Sequence, residues 1–259
     1  MNDSDKEKII YFPELDERKK QEKERQKQAK QRQKLEEQYR KQYHAEKKGK
    51  KVPFVNWDKI PPFTRAMIGI FILIHLIIVA LSVNDFQQGT LLLQLGFVPA
   101  QYTGIFPWHW TAIVAPVTSL FIHGSWIHLL FNCIMMMVMG IFCERKIGAK
   151  PTFKLFIISG LFGSLAFLIL NPFSTAPVVG ASGAINGLFS VAMLMMMEER
   201  KNLVGTKQNI IQFILLWCGL IIGIGLLSHN TAWQSHLGGF LCGVAIYHAQ
   251  KKSVIRLLW

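Results

Sequence analysis

Four side chains that could catalyse acyl transfer lie in apolar, almost uncharged stretches of the sequence. They are Ser182, His236, His128 and Asn132. Polar groups inside such stretches are energetically costly, so each is a functional candidate. A serine hydroxyl becomes a strong nucleophile when a neutral histidine takes its proton, and N–H groups can stabilise the resulting oxyanion. These residue types predict a Ser182–His236 dyad, with His128, Asn132 and the Ser182 backbone N–H as oxyanion donors.

The four residues are predicted to lie at similar depths if each stretch is a membrane-crossing helix. Ser182, His128 and His236 each precede a charged residue at the predicted cytoplasmic end of the stretch by 15 or 16 positions. With a helical rise of ~1.5 Å per residue, all three stand about 22–24 Å above the cytoplasmic boundary. Asn132 falls one turn deeper. No acidic residue shares this layer, so a dyad is expected rather than a triad.

Glycines predict that two of these helices approach each other closely. Gly183 and Gly187 are four residues apart in one segment, and Gly239 and Gly243 are four apart in another. Small residues at this spacing let helix backbones come together. His236 shares a helix face with the second pair, at i, i+3 and i+7. That face would direct the histidine towards the serine.

The apolar segments that carry these residues are predicted to be six membrane-spanning helices. In chain order they are 66–83, 119–142, 153–170, 182–197, 210–227 and 236–250. The connections after the first, third and fifth segments contain no Lys or Arg, so the positive-inside rule places both termini in the cytoplasm. The long, aromatic-rich connection 84–118 is predicted to be a folded loop in the outer leaflet, with anchoring favoured over substrate contact as its role.

Composition divides the chain into regions. Hydrophobic residues make up 51% of 259 residues, yet the net charge is +13, and residues 1–65 hold 19 of the 29 basic and 12 of the 16 acidic side chains. This argues against a soluble enzyme, a nucleic-acid-binding protein and a disulfide scaffold. We expect a charged cytoplasmic leader (1–60), a six-span domain (61–252) and a short cytoplasmic tail (253–259). The leader is predicted to be a solvated helix or a disordered tail, or alternatively to contact anionic lipids.

No metal or cofactor site is predicted. The cysteines lack a C-x-x-C pair and are interpreted as buried free thiols: Cys133, Cys143, Cys218 and Cys242. His123 and His128 lie about 140° apart around a helix, which is poor for joint metal ligation, and no H-E-x-x-H occurs. Ala184 breaks the G-x-S-x-G pattern of α/β-hydrolases. The other histidines are interpreted as non-catalytic: His44, His75, His109, His229 and His248.

Together these motifs resemble the rhomboid intramembrane serine proteases. The matching residues are Gly180-Ala181-Ser182-Gly183, the run His236 to Gly243, and His128 with Asn132 ahead of Glu144-Arg145-Lys146-Ile147-Gly148. The resemblance covers roughly residues 60–250 and leaves the leader unexplained. It implies that Ser182 is the nucleophile, His236 the general base, and His128, Asn132 and the Ser182 N–H the oxyanion site. It also implies supporting roles for His123, Gly180, Gly183, Gly239 and Gly243.

Two positions depart from the family pattern. The family often carries Trp-Arg shortly before the threonine that matches Thr118, whereas this chain has Val114 and Ala115. An aromatic residue often follows the nucleophile by four positions, whereas this chain has Asn186. The first departure concerns the anchoring of the long loop, and the second concerns the packing beneath His236.

The expected function is that of a serine endopeptidase that cleaves single-span membrane proteins near the extracytoplasmic face. A chain without an import signal is simplest to place in a bacterial plasma membrane, and no cofactor, metal or nucleic acid is expected. The alternative is a catalytically silent rhomboid-like protein that binds or escorts membrane helices. A transporter is a third reading, which the lack of a charge at mid-membrane depth disfavours.

Overall fold

The computed structural model describes residues 13–47, 57–82, 84–199, 207–227 and 232–251. Within these ranges the protein is α-helical, and its β-type pairing is an isolated bridge between Phe97 and Val178. Contacts divide the chain into two units, Met1–Asn56 and Trp57–Trp259. The second unit holds all the residues that the sequence singled out for chemistry.

The described part of the first unit is one helix, α1 (Pro13–Lys47). Its side chains from residue 22 to residue 41 are all exposed. Glu37 and Lys41, one turn apart, form an ion pair at 2.9 Å. Such a helix is solvated rather than built around a core. The predictions for residues 1–12 and 48–56 of the leader lie outside the described residues.

The second unit is a bundle of long helices with a short-helix connection. Its helices are α2 (Pro62–Leu81), α3 (Asp85–Leu95), α4 (Ala115–Thr118), α5 (Trp126–Ile147), α6 (Ala149–Leu170), α7 (Ser182–Glu199), α8 (Lys207–Leu227) and α9 (Trp233–Lys251). α2, α5, α6 and residues Asn209–Leu227 of α8 are long and apolar enough to cross a membrane. The chain is therefore a multi-pass membrane protein.

Helices α7 and α9 are less apolar than these four. α7 carries Ser182, Asn186 and two terminal glutamates, yet ten of its 18 residues are buried. It packs against α5, α6 and α9, so protein rather than lipid surrounds much of its length. A helix in that position can contain polar groups that would be costly on a lipid-facing surface.

The second apolar segment begins its helix later than the sequence predicts. Residues Ser119–Phe121 form a 3₁₀ turn, and α5 starts only at Trp126. Ser125, in an extended conformation, accepts a hydrogen bond at 3.2 Å from the His128 N–H and so caps the new helix. The predicted start at residue 119 is wrong because apolar composition does not reveal this cap.

A buried carboxylate holds α2 against α5 at the other end of the bundle. Glu144 of α5 accepts hydrogen bonds of 2.8 Å from the Phe63 N–H, the Thr64 N–H and the Thr64 hydroxyl. These two N–H groups lie in the first turn of α2, where helix N–H groups have no partner within the helix. Gly140 lets the helices meet, since a Cβ there would lie 2.8 Å from Thr64 Oγ1.

Glycines bring α7 and α9 into backbone contact. A Cβ on Gly239 would lie 1.9 Å from the Gly183 carbonyl oxygen, and one on Gly243 would lie 2.4 Å from the Gly187 carbonyl oxygen. Real Cβ atoms cannot approach backbone this closely, so any larger residue would force the helices apart. The spacing of α7 and α9 therefore depends on these glycines.

The connection between α2 and α5 is folded and tied to the segment that precedes α7. Phe97 and Val178 exchange two backbone hydrogen bonds, of 3.0 and 2.8 Å. The Thr118 hydroxyl donates to the Leu95 carbonyl at 2.8 Å, and the Tyr102 hydroxyl donates to the Ala112 carbonyl at 2.6 Å. These bonds hold the connection without the Trp-Arg pair that Val114 and Ala115 replace.

Candidate active site

Ser182 and His236 meet across the contact between α7 and α9. Ser182 is the first residue of α7, and His236 lies in the first turn of α9. The Ser182 Oγ lies 2.7 Å from His236 Nε2, within hydrogen-bonding distance. Residues 54 positions apart in sequence thus meet at a distance that a serine nucleophile and its general base would need.

The backbone just before Ser182 adopts a conformation that favours glycine. Gly180 has φ +114°, and its N–H donates to the Ser119 carbonyl at 2.8 Å. A Cβ at this position would lie 2.6 Å from His128 Cε1. Glycine therefore serves both the turn into α7 and the close approach of the His128 ring. Because Ser182 begins the helix, its own N–H lies in the first turn of α7. The N–H groups of a first turn have no acceptor within the helix.

His128 and Asn132 approach the pair from α5, one helical turn apart. The Asn132 side-chain N–H₂ donates to the His128 carbonyl at 2.9 Å, which fixes its orientation. This bond uses one of the two amide protons. Asn132 is only 4% exposed, and the second amide proton is not used by this bond. Both side chains line the same cavity as Ser182 and His236.

That cavity has a volume of about 1040 Å³ and is bounded by α5, α6, α7, α8 and α9 and by residues 174–180. Apolar side chains such as Phe131, Ile185 and Phe189 make up one part of its wall. Among the described residues, none that lines it is acidic. The cavity therefore offers an apolar surface for a substrate and a polar end that holds the dyad.

His123 lies behind this site rather than in it. Its side chain is fully buried, and its ring centroid is 5.3 Å from that of His128 and 5.2 Å from that of Phe71. His123 does not line the cavity. A supporting position fits this placement, whereas direct contact with a substrate does not.

The sequence analysis did not predict two polar contacts in the cavity. Asn186, one turn after Ser182, lines the cavity and donates to the Ser182 carbonyl at 2.9 Å. Gln234 reaches Asn171 across the cavity, with Nε2 3.4 Å from Oδ1. The only sequence signal for Asn186 was its departure from the family pattern. Neither Gln234 nor Asn171 carries any such signal.

Of the remaining histidines, His109 and His248 are described and lie apart from Ser182 and His236, whereas His75 reaches the site indirectly through His123. His109 lies in the connection before α5, with Nδ1 2.9 Å from Thr111 Oγ1, and His248 is exposed at the opposite end of α9. His229 and the His44 side chain lie outside the described residues. His75 is the exception: it is fully buried and contacts His123.

Residues that might hold a metal do not cluster in the described part of the chain. No group of three or more His, Cys, Asp or Glu side chains has the arrangement of a metal site there. The four cysteines are free thiols, two of them buried.

Comparison with known proteins identifies the family. The rhomboid domain model matches residues 109–250, more than half of the chain. Among similar proteins, RHOMBOID-like protein 5 of Arabidopsis thaliana is 33% identical over 129 residues, 49% of this chain and 40% of the relative. Rhomboid protease GluP of Bacillus subtilis is 27% identical over 184 residues, 71% of this chain and 34% of the relative.

A third similar protein carries a different description. Inactive rhomboid protein 1 of Drosophila melanogaster is 33% identical over 130 residues, 49% of this chain and 9% of that protein. The chain thus spans less than half the length of each of these three relatives. The match contains Ser182, His236, His128 and Asn132 within a helical membrane domain, and the chain belongs to the rhomboid family.

Proposed function

We propose that this protein is a serine endopeptidase that cleaves single-span membrane proteins within the bilayer, near the extracytoplasmic face. The observation that carries the proposal is the 2.7 Å contact between Ser182 Oγ and His236 Nε2 at the polar end of the cavity. Rhomboid family membership supports the reaction class.

The reaction follows from the chemistry of these side chains. Ser182 Oγ attacks the carbonyl carbon of the scissile peptide bond while its proton moves to His236 Nε2. The carbonyl oxygen becomes an oxyanion, which accepts hydrogen bonds from the Ser182 N–H, His128 and the free Asn132 amide proton. His236 then gives its proton to the departing amine, leaving an acyl-serine. Water, deprotonated by His236, hydrolyses the acyl-serine and restores the hydroxyl.

We further propose that α7 and α9 cross the membrane together with α2, α5, α6 and α8, which makes six spans. Both termini are then cytoplasmic, as the positions of the basic residues favour. The connection between α2 and α5 lies in the outer leaflet. The leader (1–60) and tail (253–259) flank the catalytic domain (61–252), and a bacterial plasma membrane is the proposed location.

The direct test is proteolysis in reconstituted vesicles. Wild-type protein should cleave a single-span substrate within or close to its transmembrane segment, as mass spectrometry of the products would show. Ser182→Ala should not. Ser190→Ala is the matched control, because that hydroxyl lies on the same helix, donates to the Gly187 carbonyl and does not line the cavity.

The alternative function is a silent rhomboid-like protein that binds or escorts membrane helices. Similarity to a protein described as inactive is the observation in its favour. Folded wild-type protein that binds the substrate helix without cleaving it would support this alternative and reject the protease.

A further inference from the structure

His75 of α2 is fully buried and lies next to the chain segment that leads into the site. Its Nδ1 lies 3.1 Å from the His123 carbonyl oxygen. Because a carbonyl oxygen can only accept, Nδ1 carries the proton and donates it. The His75 ring also meets the Trp126 ring edge-on, with centroids 4.5 Å apart. One side chain of α2 thus contacts residues on both sides of Ser125, the residue that caps α5.

The segment held in this way determines where His128 sits. Ser125 accepts the His128 N–H at 3.2 Å, and the His123 ring stands 5.3 Å from the His128 ring. On its other side, the His128 ring lies close to Gly180, in the turn before Ser182. A shift of the His123–Ser125 segment would therefore move His128 relative to the nucleophile.

Stability alone does not explain a histidine at position 75. α2 is otherwise one of the most apolar helices of the protein. His75 Nε2 is buried and has no hydrogen-bond partner among the described residues. A buried polar group without a partner destabilises a fold. A leucine would remove the unpaired Nε2, but it would also leave the His123 carbonyl without the Nδ1–H donor.

We propose that His75 is a positioning residue for the oxyanion site: its hydrogen bond to the His123 carbonyl holds the His128 imidazole beside Ser182. This inference rests on the function proposed above. His75 does not line the cavity, so it touches no substrate and acts only through His123 and His128. The sequence does not predict this contact, because His75 stands alone among the apolar residues of its segment.

Substituting His75 with Asn or Gln separates the effect of the hydrogen-bond donor from the effect of side-chain volume. In His75→Asn the side-chain N–H₂ falls near the original Nδ1 position. In His75→Gln it falls one bond farther out, near Nε2, and His75→Leu has no donor. Ile68→Ala is the packing control, because Ile68 is buried on the same helix about two turns before His75.

The measurement is kcat and KM for cleavage of a single-span substrate, alongside the thermal midpoint of each variant. We expect His75→Leu and His75→Gln to lower kcat by about tenfold, less than the ~10²–10³ typical for deleting an oxyanion donor itself. KM should stay unchanged, and His75→Asn should restore kcat. Ile68→Ala should lower the midpoint without lowering kcat. Equal kcat values in the Asn, Gln and Leu variants would overturn the proposal.

A double-mutant cycle tests the route through His128. If His75 acts through that ring, His75→Gln should have no further effect on kcat in a His128→Ala background. If the double mutant instead loses kcat by the product of the two single-mutant factors, His75 acts elsewhere and the proposal is overturned. If His75→Leu does not fold, the comparison of His75→Asn with His75→Gln and this double-mutant cycle still test the proposal. Failure of the proposed function would look different, since wild-type protein would then cleave nothing.

Discussion

At the residue scale, the central feature is a proposed nucleophile and base without an acidic partner among the described residues that line the cavity. The Ser182 hydroxyl contacts His236, and no described lining residue is acidic. In a triad the carboxylate orients the histidine and stabilises its charged form. Here the orientation of His236 has to come from the packing of α9 against α7, which the contact between Gly239 and Gly183 determines.

The dyad predicts a simple dependence on pH. His236 can accept the serine proton only when it is neutral, so cleavage should fall as the pH is lowered and a proton binds. The acid limb of kcat/KM should follow one proton, because no carboxylate lines the cavity. A pH profile in detergent would measure this. An acid limb that needs two protons would contradict the dyad, as would undiminished cleavage by His236→Ala.

Gly180 offers a second residue-scale test. Gly180→Ala adds a Cβ at φ +114° and 2.6 Å from His128 Cε1, so it should displace the imidazole. We expect cleavage to fall by about tenfold or more, as for the loss of an oxyanion contact. Gly219→Ala is the control, because Gly219 lies on α8 and a Cβ there would meet nothing within 4 Å. Similar cleavage rates for the two variants would argue against a role for the His128 position.

At the element scale, side chains at helix ends determine which residues can meet. Ser125 starts α5 at Trp126, Gly148 ends it with φ +86°, and Glu144 supplies acceptors for the first turn of α2. α7 begins at Ser182, the proposed nucleophile. The helix ends thus bring the reactive groups together at one end of the bundle.

The hydrogen bonds from the first turn of α2 to Glu144 form a clamp between α2 and α5. We expect a substitution of Glu144 to lower the stability of the protein. Glu144→Gln would replace one of the two carboxylate oxygens with an N–H₂ group, which would face either the Phe63 or the Thr64 N–H, a donor as well. Unpaired buried groups of this kind cost about 1–3 kcal/mol of unfolding free energy. Thermal unfolding in detergent would measure the change. Glu199→Gln, which removes a largely exposed ion pair with Lys146, should cost no more than ~1 kcal/mol. Equal losses would refute the clamp.

The sequence predicts many of the helix boundaries and contacts, but not all of them. Apolar runs locate the long helices to within a few residues at most ends, and the pairing of Ser182 with His236 follows from residue type and depth. The start of α5 does not, because its cap is a single serine within an apolar run. His75 and Asn186 are likewise recognised only when distant segments are in place, since their roles depend on contacts with His123 and with the Ser182 carbonyl.

At the scale of the whole molecule, charge is separated from the membrane domain. Beyond residue 65, the ten basic and four acidic residues contrast with the 19 and 12 that precede them. Family membership covers residues 109–250, which includes the dyad but not α1. The proposed proteolytic reaction therefore does not explain the charged helix α1, and the domain boundaries predicted from composition stay a prediction.

Orientation in the membrane can be tested with introduced cysteines. Trp108→Cys lies in the exposed part of the connection before α5, and Lys150→Cys lies at the start of α6. If the positive-inside assignment holds, a membrane-impermeant thiol reagent should label the first from outside intact cells and the second only after lysis. The reverse pattern would invert the topology and place Ser182 near the cytoplasmic face.

The central claim is that Ser182 is a nucleophile activated by His236, and covalent labelling with a fluorophosphonate tests it most directly. The purified protein should acquire one adduct, which peptide mapping should place on Ser182. Ser182→Ala should acquire none, His236→Ala should react far more slowly, and Ser190→Ala should react like wild type. An adduct on another residue, or wild-type labelling rates in His236→Ala, would contradict the account.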